Sequence, residues 1–231
     1  MSTICWYYDV SELQDNALFH RGMALLPWKV RREKVGRFRY ERDQRLCLGA
    51  GLLAAHALKQ AGVRDLALAE SEYGKPELSQ DSGLYFNISH SGVLAVCAVS
   101  ERPVGVDVEL EKENIAISDF RQCFRQEEMA WIHGCDNPVH AFYRLWTRKE
   151  SYLKRLGTGL LYDPGSVSVM PGSSAEKEGL FAEFNITDHQ ICVSLPEKEE
   201  VLLREWEGIK TASTRDSAIS ASPHTEQPLP A

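Results

Sequence analysis

Asp107 and Glu109, in Gly105-Val-Asp-Val-Glu109, and Glu150 and Lys154, in Trp146-Thr-Arg-Lys-Glu-Ser-Tyr-Leu-Lys154, are the residues of this chain with the clearest capacity for chemistry. Val104, Val106 and Val108 alternate with the two acids, a period of two that predicts a β-strand with both carboxylates on one face. Trp146, Glu150 and Lys154 recur at every fourth position, which predicts a helix with a carboxylate and an ammonium on one stripe. Same-face carboxylates two residues apart sit ~7 Å apart along a strand and repel by about 2 kcal/mol at an effective dielectric of about 20. A bound cation relieves that cost. Three carboxylates from a strand and a helix make a hard-oxygen set suited to Mg²⁺, with Mn²⁺ accepted by the same ligands, and to bridging toward phosphate oxygens. Taken alone, Asp107-x-Glu109 also fits an edge strand whose acids point into water.

The elements that must position these groups are legible in outline. A helix is expected from Glu41 to Gln60, where Leu46, Leu53 and Ala57 build a broad buried face before Gly62 stops it. Phe86-Asn-Ile-Ser89 and Phe184-Asn-Ile-Thr187 each lead into an apolar run, Leu94–Val99 and Ile191–Leu195, and lie 98 residues apart. Arg45-Leu46 and Arg144-Leu145, in the two helical stretches, lie 99 apart. The nearly equal offsets suggest a duplicated α+β unit, with the boundary near Ser100-Glu-Arg-Pro103. The expected organisation is therefore a half over residues 1–103, a half over 104–210, and a tail over 211–231 that is rich in Ser, Thr, Ala and Pro and expected to be disordered.

Composition narrows the setting. The 231 residues are 43% hydrophobic and 26% charged, ordinary globular material with enough chain for a sizeable core. A formal charge of −7 argues against general nucleic-acid or anionic-membrane binding. Six cysteines show no metal-ligand spacing, the N-terminus lacks a signal-peptide pattern, and no apolar run reaches membrane-spanning length, so a soluble cytoplasmic protein is expected. Against the acidic background, Lys29 to Arg45 holds eight basic residues and three acids, a local anion site embedded in what is mostly a solvated helix face. His90, flanked by Ser89 and Ser91, is not part of a Gly-x-Ser-x-Gly elbow, which removes the usual hydrolase reading.

Four motifs together carry a resemblance: Glu72-Tyr-Gly-Lys75-Pro76, Phe86-Asn-Ile-Ser-His90-Ser91, Gly105-Val-Asp-Val-Glu109 and Trp146-x-x-Lys-Glu150-Ser-x-x-Lys154. In order and spacing they resemble the Sfp-type 4′-phosphopantetheinyl transferases, in the Lys-Glu-Ser subgroup. The resemblance implies a pseudo-dimer of two similar α+β halves with coenzyme A in the cleft between them. It implies transfer of the phosphopantetheine arm of coenzyme A to a serine of an apo acyl, peptidyl or aryl carrier protein, with release of adenosine 3′,5′-bisphosphate. Asp107, Glu109 and Glu150 would then hold Mg²⁺, and Lys154 would serve the leaving phosphate. Arg31, Lys34, Lys75, Ser89 and His90 would contact coenzyme A. Glu128, at the family's Phe-x-x-x-Glu spacing from Phe124, would accept the serine proton, with Glu127 as the fallback. One departure is Val108, where some relatives place a polar residue that adds to the metal sphere; here water must fill more of it. A duplicated fold completes its cleft within one chain, so a monomer is expected. A noncatalytic carrier-binding or coenzyme A-binding homologue and a metal-dependent nucleotide-diphosphate hydrolase are the alternatives.

Overall fold

The computed structural model describes residues 2–70, 75–80, 82–157, 163–177, 179–209 and 218–219. In chain order the elements are β1 (Thr3–Asp9), α1 (Asn16–Leu25), α2 (Lys29–Arg37), α3 (Glu41–Gln60), β2 (Leu68–Glu70), β3 (Pro76–Leu78), β4 (Tyr85–Ser91), β5 (Leu94–Ser100) and β6 (Gly105–Leu110). They continue with α4 (Gln126–Gly134), α5 (Pro138–Leu156), β7 (Leu180–Ile186), β8 (His189–Leu195), β9 (Val201–Glu205) and β10 (Ala218–Ile219).

Two sheets lie between two long helices. The first sheet has the order β10-β9-β1-β5-β4 and the second β6-β8-β7, with β2 and β3 forming a separate pair. Strand alternation sorts the side chains into three cores. Trp6, Tyr8, Cys97 and Val99 face α3; Cys5, Tyr7, Val96 and Ala98 face the second sheet, where they meet Val106, Val108, Ile191 and Val193. The far face of the second sheet, with Phe181 and Cys192, packs on Phe142, Leu145 and Leu153 of α5. A strand covered on both faces needs apolar residues at every position, which is why β5 reads as one unbroken run.

The α+β class and the two-halves architecture are present: β1-α3-β4-β5 and β6-α5-β7-β8 repeat one helix-on-hairpin plan, with matching strand orders β1-β5-β4 and β6-β8-β7. The register differs from the sequence match that suggested it. The two hairpins turn at Gly92-Val93 and Thr187-Asp188, 95 residues apart and not 98, so the Phe-Asn-Ile segments occupy different positions along their strands. An offset that is wrong by three also puts equivalent residues on opposite faces. The division near residue 103 is crossed by β9, which pairs parallel to β1 (Cys5 opposite Leu203), so residues 201–205 of the second half complete the first sheet. In the segment read as a disordered tail, Ala218–Ile219 pair antiparallel to β9; the rest of 211–231 lies outside the described residues.

Candidate active site

The acids sit where β6 meets α5 and β4. Three local features build α5: the Asn137 side chain accepts the His140 amide proton, Pro138 occupies the first turn, and Gly157 ends the helix in the left-handed conformation at φ 71°. Gly105 explains how closely β6 can approach this helix, because a Cβ there would lie 2.0 Å from the Ser151 carbonyl oxygen. The Gly-Val-Asp-Val-Glu pattern thus couples a bare backbone on the helix side to acids further along the same face.

At the centre is a bonded triangle. Lys154 Nζ donates to Asp107 Oδ1 at 2.6 Å and to Ser89 Oγ at 2.9 Å, while Ser89 Oγ donates to Asp107 Oδ1 at 2.8 Å. Asp107 is 2% exposed and its Oδ2 is buried without a hydrogen-bond partner. Burial, then the charge of Asp107, raises the pKa of both Glu109 and Glu150; at Glu109 bonds from Ser91 and Trp146 oppose the rise, and at both acids the charge of Lys154 does. This is negative charge in excess of its compensation. Among the described residues no group of three His, Cys, Asp or Glu is arranged to hold a metal ion. The orphaned Asp107 oxygen and two neighbouring acids with raised proton affinity nonetheless fit a divalent cation by charge and by ligand type.

On the other side of the seam, His90 is exposed in a positively charged setting. Partial burial, then Arg31, Lys154 and Lys34, hold its imidazole below the ordinary value. Of the eight basic residues between Lys29 and Arg45, four are in surface ion pairs: Lys29 and Arg37 with Glu33, Arg42 with Asp43, and Arg45 with Glu41. Arg32 donates to the Leu26 carbonyl. Arg31 is anchored by its Nε on the Cys47 carbonyl at 3.1 Å, and Gly51 leaves the room for it, since a Cβ there would come within 2.7 Å of that nitrogen. Arg39 lies over the Tyr40 ring, and Arg31 and Lys34 are the residues of this stretch whose charges act on His90.

Two expected site residues, Lys75 and Glu128, make bonds within the protein. Lys75 donates from Nζ to the carbonyls of Lys154 at 2.8 Å and Val104 at 3.3 Å, tying its segment to the end of α5 and the start of β6; Glu72, Tyr73 and Gly74 lie outside the described residues. Glu128 corrects the expected proton acceptor. It is 0% exposed, is paired with Lys149 at 2.7 Å, and accepts from the amides of Arg125 and Val169. Lys149 is equally buried and also donates to the carbonyls of Pro164 and Val167. A carboxylate with both oxygens engaged and no exposed surface has no route to an incoming hydroxyl. Its bonds cap α4 and tie Val169 and, through Lys149, α5 to that cap. The fallback, Glu127, is on the surface with its side chain 3.8 Å from Arg125.

Other contributors went unread. Asn87 accepts the Val106 amide proton, Ser91 bonds Glu109, and Trp146, on the helix that carries Glu150, packs with Phe120, Phe124 and Phe142. The signal for the first two was available. Asn87, Ser89 and Ser91 alternate with Phe86 and Ile88, a polar period of two on a strand whose other face is core.

This chain belongs to the 4′-phosphopantetheinyl transferase superfamily: residues 103–219 match the family of that description, and residues 16–102 match the family described as 4′-phosphopantetheinyl transferase, N-terminal. It is 35% identical over 144 residues to a 4′-phosphopantetheinyl transferase of Bacillus subtilis, covering 60% of this chain and 64% of that protein. It is 37% identical over 120 residues to the 4′-phosphopantetheinyl transferase gsp of Aneurinibacillus migulanus (50% and 49%), and 32% identical over 137 residues to HetI of Nostoc sp. strain PCC 7120 (55% and 58%). The matched regions thus span about half to just under two thirds of these curated relatives.

Proposed function

We propose that this protein transfers the 4′-phosphopantetheine arm of coenzyme A to a serine of an apo carrier protein. The observation that carries the reading is the Lys154–Ser89–Asp107 triangle, placed between a cluster of under-compensated acids and the Arg31–Lys34–His90 group, in a chain of this superfamily.

In the reaction the serine oxygen forms a bond to the pantetheine-side phosphorus of the diphosphate, and the bond from that phosphorus to the bridging oxygen breaks to release adenosine 3′,5′-bisphosphate. Residues 1–103 supply the phosphate contacts through Arg31, Lys34, Ser89 and His90. Residues 104–210 supply the acids and Lys154. Asp107, Glu109 and Glu150 would hold Mg²⁺ or Mn²⁺, which when bound neutralises charge on the diphosphate. Lys154, fixed by two bonds at the seam, offers its ammonium to the departing phosphate. With Glu128 enclosed, Glu150 is the carboxylate assigned to receive the hydroxyl proton, directly or through water. Ordering two substrates against fixed charges is the principal catalytic device in phosphoryl transfer of this kind. Six free cysteines and the absence, among the described residues, of any helix long and apolar enough to span a membrane fit a cytoplasmic setting, and the cleft within one chain fits a monomer.

Intact-mass measurement of a panel of apo carrier proteins incubated with the protein, coenzyme A and Mg²⁺ tests the proposal. A phosphopantetheine mass increment that is lost with Asp107→Ala supports it. Phosphate release from coenzyme A without a carrier, or coenzyme A binding with no increment on any carrier, refutes it.

A further inference from the structure

β4 and β6 are edge strands of different sheets, and side chains join them where a backbone ladder does not. The Val106 amide donates to Asn87 Oδ1 at 2.9 Å, Ser89 Oγ donates to Asp107, and Ser91 Oγ donates to Glu109 Oε2 at 2.9 Å. Ser91 Oγ also accepts the Leu110 amide proton at 3.1 Å. A hydroxyl has one proton and can rotate freely, but accepting from the Leu110 amide directs that proton to the carboxylate. The residue is set at a fixed point of the chain. Gly92 next to it has φ +60°, and a Cβ there would fall 2.6 Å from His189 Nε2, so the β4–β5 turn is clamped against the start of β8. Glu109, in the second half, is therefore held across the seam by a hydroxyl of the first.

We propose that Ser91 is a positioning residue that orients Glu109 toward a divalent cation. The inference rests on the transferase reading and deepens it. Groups that hydrogen-bond a ligating side chain set its direction, and their loss typically weakens metal binding by about 10–100-fold.

The test compares Ser91→Thr with Ser91→Val, which have nearly the same shape and differ in the hydroxyl. Mn²⁺ binding, read by the loss of the free-ion electron paramagnetic resonance signal, should be within about threefold of wild type for Thr and at least about tenfold weaker for Val. The Michaelis constant for the metal should rise with Val, while coenzyme A binding measured without metal stays unchanged. If Val does not fold, as judged by circular dichroism, Ser91→Ala replaces it. Equal Mn²⁺ affinity across the variants overturns the inference, as does equal weakening by Thr and Val. Wild-type protein that modifies carriers yet binds no Mn²⁺ also overturns it and leaves the transferase reading standing; wild-type protein that does neither overturns both.

Discussion

Replacing Lys149 with methionine separates a structural pair from a catalytic one. Lys149 Nζ and Glu128 Oε2 are 2.7 Å apart and both side chains are 0% exposed. Two unit charges at that distance attract by about 6 kcal/mol at an effective dielectric of about 20, and desolvation of both ions offsets most of it. Methionine removes the attraction but leaves the Glu128 carboxylate enclosed with two amide donors, and it takes the donor from the carbonyls of Pro164 and Val167. One-sided loss of such a pair costs about 3–5 kcal/mol. At roughly 2–4 °C per kcal/mol for a chain of this length, Tm should fall by ~6–20 °C. Glu128→Gln should be similarly costly because it strands the buried ammonium. The double variant carries no buried charge and should recover much of the loss, a coupling of at least about 2 kcal/mol. Thermal melts of the four proteins give the stability cycle, and turnover on an apo carrier well below every transition should stay within about fivefold of wild type for the singles. A Glu128→Gln protein with unchanged Tm and turnover reduced by about 100-fold or more would refute the reasoning and return Glu128 to the role of proton acceptor.

Other outcomes follow from the same geometry. Arg31→Ala and His90→Ala should each raise the Michaelis constant for coenzyme A by about 10–100-fold, the equivalent of one charge-assisted bond, with smaller effects on dephospho-coenzyme A for whichever residue meets the 3′-phosphate; steady-state kinetics with both substrates checks this. Lys154→Ala should lower turnover by at least about 100-fold, and Lys154→Arg should not rescue it because a planar guanidinium does not reproduce the compact ammonium bonded to Ser89 and Asp107; single-turnover mass spectrometry measures it. Glu109 and Glu150 have raised pKa values without metal, so Mn²⁺ affinity should weaken as pH falls through those values and protons should be released on binding, which calorimetry in buffers of different ionisation enthalpy reads directly. Burial raises the pKa of Glu183, but bonds and charge from Arg148 and Arg144 outweigh it and leave the folded value depressed. Its stabilisation is therefore present above the ordinary carboxylate range and lost as pH falls through the folded value, and Glu183→Gln should flatten the acid limb of Tm against pH.

What the sequence disclosed and what it withheld divide along the range of the interactions. The α3 bounds, Glu41 to Gln60, agree with the expectation because an apolar stripe and a terminating Gly62 are local signals. Asp107 and Glu109 fall on one face of β6, with Val106 and Val108 in the inter-sheet core, because strand period is local too. Glu128 was misread because its spacing from Phe124 is visible, whereas its enclosure depends on Lys149, twenty-one residues away on another helix. The duplicated plan was legible but its register was not: a four-residue match cannot tell a residue in mid-strand from one entering a turn. The sequence gives Ser91 no role beyond its place beside His90, since its partners, Glu109 and Leu110, lie on an edge strand of the other sheet. Val201–Glu205 gives no local indication that its neighbour is β1, nearly the whole chain away.

That last pairing bears on how the molecule is made. The strand that lies beside β1 is synthesised roughly a hundred residues after β5, and at ~5–20 residues per second a nascent chain therefore waits about 5–20 s with one flank of β1 open. For that interval Thr3–Asp9 is an unpaired edge with buried-type side chains, the condition under which a foreign strand can add to a sheet. Separately produced halves would carry the same vacancy permanently in the first and an unmatched strand in the second. Splitting this protein near residue 103 should accordingly give pieces that are soluble only when made together.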